Sequence, residues 1–294
     1  MKTRNEKYTT TLDTLMPPDM ARMAEDVGIS KTQMGILRTG GLSVLAGAFI
    51  AFGAVFATLV TSGSTMSFGV TKLLGGIAFS LGLILVVVGG AELFTGNNLL
   101  TMAWASRKVT TKQLLQNWLI VYVGNMVGAF SMVVMMLMSG HYLFGNGITG
   151  ANILQIAEAK CQLGFIQAIV LGILCNILVC LAIWLCYGAR SVHGKILAII
   201  FPITAFVAAG FEHSVANMYF IPMGILVRDL GEPELWSMIQ QSPQHFEALN
   251  WTNYLLGNLL PVTIGNIIGG AIFVGLAYWF IYLSKWNKTT DNHS

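Results

Sequence analysis

Residues 208–217, AAGFEHSVAN, place Glu212 and His213 in the middle of a long apolar run. Between Lys195 and Arg228, Glu212 is the only formally charged side chain, with 16 uncharged residues before it and 15 after. A carboxylate at the centre of a spanning helix costs about 2.5–3.5 kcal/mol on insertion scales, so it normally faces a partner or a water-filled cavity. Gly210 is the one glycine between Lys195 and Gly224, and it marks the expected break in the helix. The same construction occurs at residues 89–98, GGAELFTGNN, where Glu92 is the only charge between Lys72 and Arg107. In both stretches glycine stands two residues before glutamate and asparagine follows, at Asn97 and Asn98 and at Asn217. Two hydrophobic segments, each interrupted near its middle by glycine and polar residues, are the sequence signature of a transport site built from broken helices.

The composition agrees. The 294 residues are 55% hydrophobic and 10% charged, with a mean hydropathy of +0.68, whereas soluble domains carry about 25% charged residues. The chain reads as an all-α integral membrane protein. Its net charge of +3 is modest, and no basic stripe with interleaved aromatics supports nucleic-acid binding. Cys161, Cys175, Cys180 and Cys186 match no metal spacing and read as small packing residues, so no metal or cofactor is expected. The polar N-terminus has no signal peptide. Pro17, Pro18 and Asp19 start a short amphipathic helix, expected either on the membrane surface or as a movable plug over a pore mouth.

Runs free of Asp, Glu, Lys and Arg span 39–71, 73–106 broken by Glu92, 113–157, 161–189, 196–227 broken by Glu212, and 248–284. A spanning helix needs about 20 apolar residues. The third run is long enough for a helix over about 113–139 followed by the polar loop GHYLFGNGITGAN, which gives six spans with the second and fifth broken. GNMVGA at 124–129 and GNIIGGA at 265–271 match between the third and sixth. Three spans per half require the second half to enter from the opposite side, as an inverted repeat. The expected organisation is a cytoplasmic segment 1–35, a pore domain 36–284 with repeats over about 36–139 and 161–284, and a tail 285–294. Placing both termini in the cytoplasm puts thirteen Lys and Arg inside and only Lys72, Lys160 and Arg228 outside, so the chain is expected to be multi-pass in the inner membrane.

KLLGGIAFSLGLILVVVGGAELFT, GFEHSVANMYFIPMGI and NLLPVTIGNIIGG, within a similarity running from about Leu15 to Leu283, resemble the formate/nitrite transporter family, most closely its formate-channel branch. The resemblance implies an aquaporin-like protomer in a lipid-embedded homopentamer, with one pore per protomer that passes formate or a similar small anion. It also implies roles. His213 is the central pore histidine and Thr95 its hydrogen-bonding neighbour. Glu212 and Asn217 hold the histidine and its loop, Asn176 lines the path, and Lys160 is the basic residue near the outer vestibule. Phe79, Leu83, Leu93, Phe94 and Phe206 match the apolar constrictions. The chain departs from the formate pattern at Gly96 and Asn97, where serine commonly follows LFT, and at KCQL, where two histidines often follow the lysine.

Chemically, an anion entering an apolar constriction loses hydration worth tens of kcal/mol on idealised estimates. Half-helix N-termini offer about half a positive charge each, and a histidine titrating near 6.5 can hold the anion or hand it a proton, which makes the pore pH-dependent. The alternatives are a nitrite or hydrosulfide channel of the same family and, in a different class, an aquaporin-like neutral-solute channel, although NPA signatures are absent. An enzyme is disfavoured because the chain has no nucleophile motif, HExxH site or cofactor loop.

Overall fold

The computed structural model describes residues 14–284, all of whose regular structure is helical. A first helix, α1 (Pro17–Thr32), leads into α2 (Ile36–Thr61) and α3 (Phe68–Gly89). The chain then reverses and restarts as a half-helix, α4, made of Phe94–Asn97, a 3-10 turn Asn98–Leu100 and Thr101–Ala105. It continues through α5 (Thr111–Met138), α6 (Ile148–Cys161), α7 (Phe165–Gly188), α8 (Val192–Ala208), α9 (Ser214–Leu230), the short α10 (Pro233–Ile239) and α11 (Asn253–Tyr282). Wide π-helical turns at Asn253–Leu259 and Ile268–Leu276 interrupt α11.

Among the described residues, α2, α3, α5, α7 and α11 are long and apolar enough to cross a membrane, and α8 is a shorter apolar helix of 17 residues. Neighbouring helices pack in the order α5, α2, α3, α8, α7, α11. The half-helix α4 lies against α5 and α7, and α9 lies against α2, α5 and α6. The helix breaks have a local cause. Gly90 (φ 78°) and Gly210 (φ 73°) sit in the left-handed region that ends a helix and that L side chains avoid.

One expectation changes. Residues 148–152 of the expected polar loop belong to α6, because Gly147 (φ 82°) opens a new helix whose Gly150, Ile153, Leu154, Ala157 and Cys161 form one buried face. The N-terminal helix docks on the rest of the fold. Met20, Ala21 and Ala24 of α1 are buried against Met102 and Trp184, and the shortness of the apolar stripe hides this docking from the sequence. Residues 1–13 and the tail 285–294 lie outside the described residues.

Glycine lets the spans touch. A Cβ on Gly128 would stand 1.9 Å from the Val44 carbonyl oxygen, whereas one on Gly90 would meet nothing within 4 Å. Close backbone approach of this kind is how helices associate where lipid removes the hydrophobic drive. Gly128→Ala should therefore unseat α5 from α2, while Gly90→Ala should cost about 1 kcal/mol of backbone strain alone. Thermal melts of the two variants in detergent check the ranking, and equal melting midpoints would contradict it.

Candidate functional site

His213 is the N-cap residue of α9: its Nδ1 accepts the Ala216 N–H at 3.1 Å. A neutral ring that accepts at Nδ1 carries its proton on Nε2, and Nε2 lies 2.9 Å from Thr95 Oγ1. Both residues are buried, at 3% and 0% exposure. The contact joins the first turns of the two half-helices, α4 and α9. Phe206 stacks on the imidazole at 6.0 Å between ring centroids, and Phe79 meets Phe206 edge-on at 5.7 Å.

Cavities lie at both ends of α3, a helix about 33 Å long at 1.5 Å per residue. The larger, about 390 Å³, is lined near the N-terminal end of α3 by Thr71, Lys72 and Phe79, together with Lys160, Phe206, Glu212 and His213. The smaller, about 190 Å³, is lined at the opposite end by Val86 and Gly90, with Lys31, Glu92 and Leu93. Thr95 and Leu83 line neither cavity and are buried between them.

The same polar scaffold supports each half-helix. Around the first, Lys31 Nζ pairs with Glu92 Oε1 at 3.1 Å and donates to Asn97 Oδ1 at 2.7 Å. Asn97 Nδ2 donates to Glu92 Oε2 at 2.8 Å and to Asn117 Oδ1 at 2.9 Å. Around the second, Lys160 Nζ pairs with Glu212 Oε1 at 2.7 Å. Asn217 Nδ2 donates to Glu212 Oε2 at 2.6 Å and to Asn258 Oδ1 at 2.7 Å.

Two asparagines then cap the breaks. Asn125 Oδ1 accepts Phe94 N–H at 2.9 Å, and its amide donates to Ser43 O at 2.8 Å and Glu92 O at 2.9 Å. Asn266 repeats this with Ser214 N–H at 2.9 Å, Gly172 O at 2.8 Å and Glu212 O at 2.9 Å. The expensive midspan carboxylates are thus each matched by one cation and by at least one amide donor, the condition under which such groups are tolerated.

The other site residues have defined partners. Glu212 accepts from the side chains of Lys160, Asn217 and Asn258. Glu212 and Asn217 therefore hold the loop through each other, and their described bonds do not go to the imidazole. Asn176 lines neither cavity. Its amide donates to Asn98 Oδ1 at 2.8 Å and Asn266 O at 2.6 Å, with Thr95 O at 3.3 Å, so it ties the two breaks together. The Phe94 ring packs edge-on against Tyr122, at 4.9 Å, and Trp118, at 6.2 Å. Lys160 lines the larger cavity, but its charge is offset by Glu212.

Lys31, Asn117 and Asn258 carry no sequence signal, because each lies on a different helix from the carboxylate or amide it serves. Asn125 and Asn266 do carry one, in the matched GN pairs, although the pairs do not disclose which backbone groups the amides serve.

The ion pair makes a prediction. Lys160→Met leaves Glu212, 4% exposed, without its cation. The loss should be about 3 kcal/mol, and Lys160→Met combined with Glu212→Gln should recover most of it. Melting midpoints of the single and double variants measure this, and an additive double variant would contradict the pairing.

Comparison with known proteins agrees with this architecture. The formate/nitrite transporter profile matches residues 18–280. The formate channel FocA of Escherichia coli (strain K12) is 49% identical over 282 residues, which is 96% of this chain and 98% of the relative. FocA of Haemophilus influenzae is 40% identical over 277 residues, covering 94% and 97%. A solved structure described as a pentameric formate channel with formate bound shares 44% identity at a TM-score of 0.81, over 85% of this chain and 98% of that one. The chain belongs to the formate/nitrite transporter family.

Proposed function

We propose that this protein is a channel for formate, carried between the two cavities past the Thr95–His213 contact, and that it assembles as a homopentamer. The observation that carries the reading is that contact: a buried imidazole and a hydroxyl 2.9 Å apart on the two half-helices, with a cavity toward either end of α3. The names of the relatives supply the substrate. The chain is a channel, not an enzyme.

In the proposed topology, residues 36–284 cross the inner membrane six times as two inverted repeats. The paired scaffolds support this, because Lys31, Glu92, Asn97, Asn117 and Asn125 play the parts of Lys160, Glu212, Asn217, Asn258 and Asn266. They also favour starting each repeat one helix earlier than sequence length suggests, at α1 and at α6, since Lys31 and Lys160 end those helices. With both termini cytoplasmic, the larger cavity is the outer vestibule and the smaller one the inner.

Formate leaving the outer vestibule meets Phe79 and Phe206. Leu83, Leu93 and the backbone around Phe94 continue the apolar stretch, where an unneutralised anion is excluded by its desolvation cost. The N-termini of α4 and α9 offset part of that charge. His213 completes the crossing by exchanging a proton with the anion, so that a small neutral acid passes the rings. A second proton on the imidazole must go to Nδ1, at the expense of the bond from Ala216, which couples proton uptake to the cap of α9.

Uptake of labelled formate into proteoliposomes, with nitrite and hydrosulfide as competitors and glycerol as a neutral solute, tests the reading. Saturable formate flux is expected. Stronger competition than self-competition by nitrite or hydrosulfide would move the substrate within the family, and glycerol flux without formate flux would overturn the anion channel.

A further inference from the structure

We propose that Lys72 concentrates the transported anion in the outer vestibule, a role distinct from that of Lys160. The proposal rests on the anion-channel reading and deepens it. The charged residues lining this cavity are Lys72, Lys160 and Glu212, beside the imidazole of His213. Lys160 is committed: its ammonium bonds Glu212 at 2.7 Å and stands over the Phe220 ring at 5.5 Å. That pair contributes little net field to the mouth.

Lys72 has no such offset. Among the described residues no carboxylate lies within the 4.0 Å of an ion pair, and the contact it makes is with the Phe68 ring, at 5.5 Å. The neutral donors of the rim are engaged inside the fold. Thr58 Oγ1 donates to Ala54 O at 2.8 Å and Thr61 Oγ1 to Ala57 O at 2.9 Å, Thr71 Oγ1 shares a bond with Ser64 Oγ at 2.8 Å, and Asn152 Nδ2 donates to Thr58 O at 2.8 Å. The Lys72 ammonium is therefore the donor this vestibule presents to an arriving anion.

The inner vestibule has no equivalent. Its charged lining is Lys31 and Glu92, already paired at 3.1 Å. The two mouths thus differ by one positive charge, and Lys72 carries it. In a concave mouth with low-dielectric walls, fixed charge raises the local concentration of the opposite ion, and added salt screens the effect.

The vestibule potential can be read without transport. All four native cysteines are buried, so in Thr61→Cys an added methanethiosulfonate reports on the vestibule. The ratio of the labelling rates by the anionic sulfonatoethyl and the cationic trimethylammonium reagents is expected to fall about tenfold in Thr61→Cys/Lys72→Gln, and to stay near the parent value in Thr61→Cys/Lys72→Arg. In proteoliposomes at low salt, Lys72→Gln should raise the half-saturation concentration for external formate about threefold and flatten its dependence on ionic strength. The internal half-saturation concentration should hold.

An unchanged labelling ratio in the Gln variant would overturn the proposal whatever the flux. So would a lowered ratio with unchanged external half-saturation. A lowered ratio in a protein whose wild type carries no formate would leave the charge assignment standing and remove formate as the substrate.

Discussion

His213→Asn is expected to leave the protein folded and to abolish the dependence of formate flux on pH between about 5 and 8. The wild-type imidazole caps α9 through Nδ1 and meets Thr95 through Nε2. Asparagine is among the best N-cap residues, so its Oδ1 can keep the bond from Ala216 N–H while the titrating group is removed. The sign follows from the source of the proton. The proton that crosses with the anion is drawn from the medium, so wild-type uptake of formate with a proton is fastest at low pH and falls as pH rises. The asparagine variant should give equal flux at both ends of the range, where the wild type should differ. A pH profile unchanged from wild type would remove proton exchange at His213 from the mechanism, and His213→Leu, which also loses the cap, separates that outcome from misfolding.

Asn266→Leu should damage the fold more than either Lys160→Met or Gly90→Ala. It leaves two buried backbone groups, Ser214 N–H and Glu212 C=O, without these partners, and takes a second donor from Gly172 C=O, which keeps its bond within α7. An unpaired buried group costs about 1–3 kcal/mol, so the sum is about 4 kcal/mol, a large part of the whole stability of many native proteins. Size-exclusion yield in detergent and the melting midpoint measure it. Asn125→Leu should behave alike, since it strands Phe94 N–H and Glu92 C=O. A melting midpoint within a degree or two of wild type for either variant would show that the breaks hold themselves.

The membrane-spanning fold is legible in the sequence because lipid imposes its own grammar. Long apolar runs must be helices, and a lone Glu92 or Glu212 inside one demands a break and a partner. The glycines at 90 and 210 can be read as break points for the same reason. What stays illegible is the identity of each partner. Lys31 and Glu92 are separated by two whole helices, and nothing in either neighbourhood encodes the 3.1 Å between them. Nothing in the sequence discloses that the Asn176 amide reaches Thr95 O, Asn98 Oδ1 and Asn266 O. The direction of the Phe94 ring is equally hidden, since it depends on Trp118 and Tyr122 arriving from α5.

The docking of α1 has a consequence for how the protein is made. This helix leaves the ribosome before any span, yet it packs against Met102, Trp184, Tyr278, Tyr282 and Leu283. Its seat is therefore unfinished until translation of the last span is complete. Until then Met20, Ala21 and Ala24 have no complete surface to pack on, so α1 is expected to take its final place only after the last span is made.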